Sequence, residues 1–111
     1  MFHMLSCFNL KPEGQIGEFR RAYDLFVQEM KVAGLVDGTG PIGERQSDTP
    51  MDTDEERDHR YFTLMSFRDR AQVDAAYAHI LKHIEPGEKA HDNVYQMVED
   101  PVFICWQDVS P

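Results

Sequence analysis

The residues whose types and spacing could do chemistry gather in one stretch of this chain, around Tyr77, His79 and His83. Histidine titrates near neutrality, so beside a phenol it can take a proton from carbon next to a carbonyl and help stabilise the enolate. Tyr77 with His83 is the minimum equipment for isomerase or cyclase chemistry. The structural alternative is plain: Tyr77 sits mid-way along an apolar helix stripe as a core aromatic, and His83 flanks that stripe at the surface. His79 and His83 stand four residues apart, so on a helix their rings could share a metal. Ile80-Leu81-Lys82 between them lacks the glutamate of the metalloprotease pattern, and no third ligand lies near, so they read as surface histidines. No metal is expected, and no cofactor.

The remaining motifs carry less. His91 shares an apolar helix face with Val94, Tyr95 and Val98, where a histidine usually packs. Gly38-Thr39-Gly40-Pro41-Ile42-Gly43 spells a dinucleotide-loop pattern, but such a turn must open a helix aimed at the pyrophosphate. Here Pro41 interrupts it and a polar loop follows, so the glycines mark a bulged or bent edge strand. Residues 46–60 carry six acids and read as a long solvated loop, or as a lid over a pocket mouth. Their spacing is not that of a calcium loop. Arg45, Arg57 and Arg60 flank the acids and pair with them in preference to a carboxylate substrate. Trp106, Phe103, Met65 and Phe67 would line a dimer core or a cavity for aromatic or aliphatic ligands.

The elements that must position these groups follow from hydrophobic period. Residues 2–10 read as a strand stopped by Lys11-Pro12-Glu13-Gly14. Ile16, Phe19, Tyr23, Phe26, Val27 and Met30 recur at helical steps, and Gly34 ends that helix. Leu35-Val36 and the region of Ile42 give a weak second strand, and residues 61–67 a third. Asp69 with Gln72 reads as the capping pair of a second helix, whose stripe is Val73, Ala76, Tyr77, Ile80, Leu81 and Ile84, and which Pro86-Gly87 stops. A shorter helix carries His91, and residues 102–106 form the last strand. The order is βαββαβ, the split pattern of a ferredoxin-like antiparallel sheet.

Both faces of the last two strands are apolar: Phe62 and Leu64 oppose Tyr61, Met65 and Phe67, while Val102, Ile104 and Trp106 oppose Phe103 and Cys105. Two helices cover one face, so the other requires a partner, and a second copy of the sheet is the simplest one. A homodimer through the sheet face is therefore expected.

At 111 residues the chain reads as one domain over residues 1–111. Twenty acidic residues against 11 Lys plus Arg give a formal net charge of −9, which argues against nucleic acid and against an anionic membrane surface. No apolar run approaches the roughly 20 residues of a membrane span. Met1-Phe2-His3-Met4 lacks the basic region of a signal peptide, so a cytoplasmic protein is expected. Cys7 and Cys105 then read as buried free thiols, with a disulfide between neighbouring strands the lesser alternative.

With this element order, the chain resembles the dimeric α+β barrel superfamily. Phe8-Asn9-Leu10-Lys11-Pro12 resembles the first strand of its stress-responsive branch, and residues 69–77, with Ala75-Ala76-Tyr77 and a following His, that branch's second helix. The resemblance implies two ferredoxin-like sheets packed face to face. It also implies a range of activities: cofactor-free oxygenases, isomerases, cyclase-like enzymes, haem enzymes and members without known activity. Cyclase-like members use a Tyr, a His six residues later and a His in the first strand, which carries over to Tyr77, His83 and His3. This chain has Ile80-Leu81 where those relatives carry His-Pro, and His3 falls one residue out of phase, which turns a strand side chain to the other face. Haem ligation occurs in the superfamily, but no feature of this sequence selects His91 for it.

The expectation is thus an α+β ferredoxin-like dimer that binds a small, largely apolar molecule, as a cofactor-free isomerase, cyclase or oxygenase. A non-catalytic, stress-related or ligand-binding dimer is the competing reading.

Overall fold

Alternation along the strands decides which side chains meet the helices. The structure, a computed structural model, describes residues 1–83, 85 and 87–110. In chain order its elements are β1 (Phe2–Leu10), α1 (Ile16–Val32), β2 (Gly38–Thr39), β3 (Gly43–Glu44), β4 (Tyr61–Phe67), α2 (Arg70–Leu81), α3 (Gly87–Tyr95) and β5 (Val98–Gln107). The sheet is antiparallel, in the order β2-β4-β1-β5, with β3 also paired to β4. This is the ferredoxin-like arrangement, with β1 in the interior.

Cross-strand register sorts the residues. Phe2 pairs with Phe67, Met4 with Met65 and with Cys105, and Ser6 with Phe103, all on the helix side. His3 pairs with Ser66 and Trp106, and Leu5 with Leu64 and Ile104, on the open side. Along β4 the residues alternate buried and half-buried without a break.

Helix α1 buries Phe19, Tyr23, Phe26, Val27 and Met30 against the sheet, as its period requires. It ends at Gly34, whose φ of +74° is the left-handed conformation that favours glycine, and Leu35 N–H donates back to the Met30 carbonyl at 2.9 Å. The Tyr23 hydroxyl donates to Thr39 Oγ1 at 2.8 Å, and Thr39 donates on to the Leu64 carbonyl at 2.9 Å, tying α1 to the sheet edge.

The expected capping pair opens α2. Asp69 Oδ1 accepts from Gln72 N–H at 2.9 Å, and Gln72 Oε1 accepts from Arg68 N–H at 2.7 Å. Its stripe behaves differently from expectation. Only Gln72 and Ala76 are buried, while Tyr77 is 65% exposed and Leu81 56%. Ala76 is too small to fill the space that a larger side chain would occupy, and a hollow remains beneath the helix. Ile84 and Pro86, expected in the stripe and at its stop, lie outside the described residues.

Three further expectations change. The second strand is built on Gly38–Thr39 and Gly43–Glu44 and not on Leu35-Val36, so the glycines sit at the sheet edge. The last strand begins at Val98, which was expected on the short helix. It runs through Pro101, which an edge strand tolerates because one side needs no N–H donor. Asp100 has φ +52° beside a register shift between Cys7 and Asn9, so the strand enters through a bulge. The cysteines cannot pair, because Cys105 stands opposite Met4 on the helix side whereas Cys7 lies on the other. Both are free, and Cys105 is exposed, not buried as expected.

The open sheet face carries half-buried Leu5, Phe62 and Leu64, with Val102 37%, Ile104 42% and Trp106 41% exposed. No described helix is long and apolar enough to cross a membrane.

Candidate functional site

The hollow beneath α2 is a cavity of about 120 Å³ between helices and sheet. Its floor is Phe2 and Met4 of β1 with Met65 and Phe67 of β4, the helix-side residues of the paired strands. Phe26 and Met30 of α1 form one wall. Its polar groups are Tyr77 of α2, His91 and Tyr95 of α3, and the Cys105 thiol of β5.

His91 and Tyr95 lie on adjacent turns of α3, which brings side chains four apart onto one face. Their ring centroids are 4.6 Å apart, and Phe26 meets the imidazole edge-on at 5.5 Å. Burial holds the His91 imidazole below its ordinary pKa, and Asp92, 3.9 Å from its Nδ1, opposes this. The ring is thus a neutral base at pH 7. Burial also pushes the Tyr95 phenol up to about 12, so it stays protonated and can donate a hydrogen bond.

A second cleft, of about 250 Å³, adjoins the first across Met30, Ile80 and His91. His79, His83 and Glu88 line it. His83 Nδ1 lies 3.1 Å from Glu88 Oε1, and its side chain is largely exposed. Tyr77 and His83 therefore line different hollows. Among the described residues no group of three His, Cys, Asp or Glu is placed to hold a metal.

His3 lies on the opposite face of the sheet from Tyr77, the consequence of its one-residue phase. It is joined to Ser66 Oγ through Nδ1 at 3.0 Å, and its Nε2–H donates to Asp108 Oδ1 at 2.8 Å. The His3 hydrogen bond holds the Asp108 carboxyl below the usual range. The three side chains form a Ser–His–Asp relay, but Ser66 is flanked by paired strands on both sides. The ladder thus engages the backbone N–H groups that an oxyanion would require.

The acidic loop closes on itself. Arg45 Nε and Nη2 donate to the two carboxylate oxygens of Asp52 at 2.8 and 2.9 Å, and Nη2 also reaches the Asp54 carbonyl at 2.7 Å. Arg57 pairs with Asp54, and Arg60 with Glu44, each at 2.7 Å. His59 is buried and its Nε2–H donates to the Asp100 carbonyl at 2.7 Å, pinning the loop to β5. No residue of 46–60 lines the cavity beneath α2.

The sequence put His91 on one apolar helix face with Tyr95 as a packing residue, and did not single the two out beside Tyr77 at a cavity. Their four-residue spacing was the available signal. That their face would border a cavity depended on how α3 packs.

No protein-family model matches the chain, and no curated protein matches it. Solved structures do. A protein of Arabidopsis thaliana superposes with TM-score 0.75 at 7% identity, over 100% of this chain and 98% of that one. SnoaB, a cofactor-independent oxygenase from Streptomyces nogalater, gives TM-score 0.68 at 8% identity in a mutant form, over 99% and 94%. A dimeric ferredoxin-like protein of unknown function from a Jannaschia species gives 0.67 at 14% identity, over 96% and 98%. The ferredoxin-like α+β fold is common to this chain and these proteins, as the element order implied.

Proposed function

We propose that this chain is a single domain that pairs with a second copy through its open sheet face. The half-exposed Val102, Ile104 and Trp106 support this. The description of the Jannaschia protein as dimeric supports it too. Covering that face leaves the cavity beneath α2 on the far side of the sheet, where it serves each protomer.

In that cavity we read a cofactor-free enzyme for a small, largely apolar molecule. The observation that carries the reading is the His91 imidazole against the Tyr95 ring, in a hollow whose other polar groups are the Tyr77 phenol and the Cys105 thiol, where burial favours the neutral imidazole. His91 takes a proton from carbon beside a carbonyl, and a phenol O–H of Tyr77 or Tyr95 stabilises the enolate oxygen. Returning the proton to another carbon completes an isomerisation. When O₂ captures the carbanion instead, a carbon–oxygen bond forms and O₂ is reduced to a carbon-bound peroxide. The proton on His91 then returns to that peroxide as a hydroperoxide. This is an oxygenation, the activity that the description of SnoaB names for that protein. His83, held by Glu88, acts at most from the adjoining cleft, and His3 stands outside this chemistry.

The test is isomerisation of β,γ-cyclohexenone to its conjugated isomer, followed by absorbance. Wild-type protein should exceed buffer, and His91→Gln should lose about 10²-fold or more of that excess. A wild-type rate equal to buffer contradicts the reading. The competing role, a ligand-binding dimer without catalysis, is favoured by the separation of Tyr77 from His83 into different hollows.

A further inference from the structure

We infer that the cavity beneath α2 selects an uncharged molecule of a single ring bearing one oxygen function, of the phenol or cyclic-ketone type. This deepens the reading above, and rests on it for the site alone. Size is the first argument. A dry cavity of about 150 Å³ lined by aliphatic and aromatic side chains holds benzene. The cavity here, at about 120 Å³, has room for one ring and not for two fused ones.

Charge is the second. Among the described residues no Asp, Glu, Lys or Arg lines the cavity. An ionised ligand would enter with no opposite charge to meet it, at a desolvation cost that the cavity cannot return. The third argument is the placement of polar groups. His91 and Tyr95, with rings 4.6 Å apart, offer an acceptor and a donor to an oxygen, with Tyr77 as a further donor in the lining, while the floor of Phe2, Met4, Met65 and Phe67 adds only the weakly polar Cys105 thiol beside Met4. Met4 and Met65 in the floor and Met30 in the wall have unbranched, adaptable side chains that let the cavity close on rings with different small substituents.

The experiment is calorimetric titration of the full chain at pH 7 with phenol, toluene, benzoate and a naphthol. Phenol should bind more tightly than toluene, and benzoate should bind about 100-fold more weakly than phenol or not at all. The naphthol should be weaker than phenol. In Tyr77→Phe, an exposed position where folding is safe, and in His91→Leu, phenol's advantage over toluene should shrink about fivefold, the worth of one neutral hydrogen bond. Benzoate binding as tightly as phenol, or a naphthol binding best, overturns the inference. Binding by phenol in this pattern without any isomerisation of the cyclohexenone leaves the inference standing and removes the enzyme reading. If neither phenol nor toluene binds, the cavity is not a ligand site and both fall.

Discussion

His91 and Tyr95, one turn apart on α3, hold their rings with centroids 4.6 Å apart where α1, α2 and the sheet leave space. The same burial moves both groups toward their neutral forms, lowering the imidazole and raising the phenol to about 12. A base and a donor that are both uncharged at pH 7 can handle a proton in an apolar hollow without an unpaired charge at rest.

The His91 shift has a consequence for stability. Its folded pKa lies below the ordinary 6.5, so the unfolded chain binds the proton more readily. Stability from this group is full above that value and is lost as pH falls below it. The melting temperature of wild-type protein should therefore drop between about pH 7 and pH 5, and the drop should be smaller in His91→Leu. Equal slopes for the two proteins in differential scanning fluorimetry would contradict this.

The acidic loop should depend on one arginine. Arg45 engages Asp52 and the carbonyls of Asp54 and Arg57, so Arg45→Ala should release residues 46–60 to limited proteolysis while the sheet stays intact. Acid should act likewise. Arg57 and nearby backbone N–H groups hold the Asp54 carboxyl at about 2, below the ordinary 3.8, so its contribution is present above 3.8 and fades as pH falls toward 2. Cleavage in this loop that is no faster in Arg45→Ala would contradict the role given to Arg45.

Burial separates structural from binding positions. Phe19 is 2% exposed in the core, and Phe19→Ala should cost about 3–5 kcal/mol by chemical denaturation. Tyr77 is 65% exposed, and Tyr77→Ala should change stability by no more than about 0.5 kcal/mol while weakening phenol binding. A large loss of stability in Tyr77→Ala would return Tyr77 to the core.

The proposed pairing of sheets places Ile104 at its centre, beside Leu5 in the register. Ile104→Asp would bury an unpaired charge there, so sedimentation should show a dimer for wild-type protein and a monomer for the variant. A dimer that persists in Ile104→Asp would move the interface elsewhere.

Much of the fold was legible because the strands alternate cleanly. Residues 61–67 separate Tyr61, Met65 and Phe67 from Phe62 and Leu64 by period alone, and the structure keeps that division. Asp69 and Gln72 announced the start of α2, and Gly34 the end of α1. The site was less legible. Helical period put Tyr77 in a stripe, but Ala76 beside it leaves the stripe half-empty, and period does not report a hollow. The edge pieces at Gly38 and Gly43 pair through backbone, so they lack the apolar signal that pointed to Leu35-Val36. Cys7 and Cys105 sit on neighbouring strands, yet the register that puts them on opposite faces needed the pairing itself.

The five histidines divide among distinguishable places: His3 on the open face, His59 in the loop, His79 and His83 in the outer cleft alone, and His91 on the wall between that cleft and the cavity. The most direct measurement is therefore a ¹⁵N spectrum of histidine ring nitrogens, recorded as phenol is added. A proton-handling site beneath α2 predicts that the His91 nitrogens shift with saturation while those of His3, His59, His79 and His83 stay fixed. Saturable shifts at His79 and His83, whether or not His91 moves with them, would contradict the account and place the site in the outer cleft.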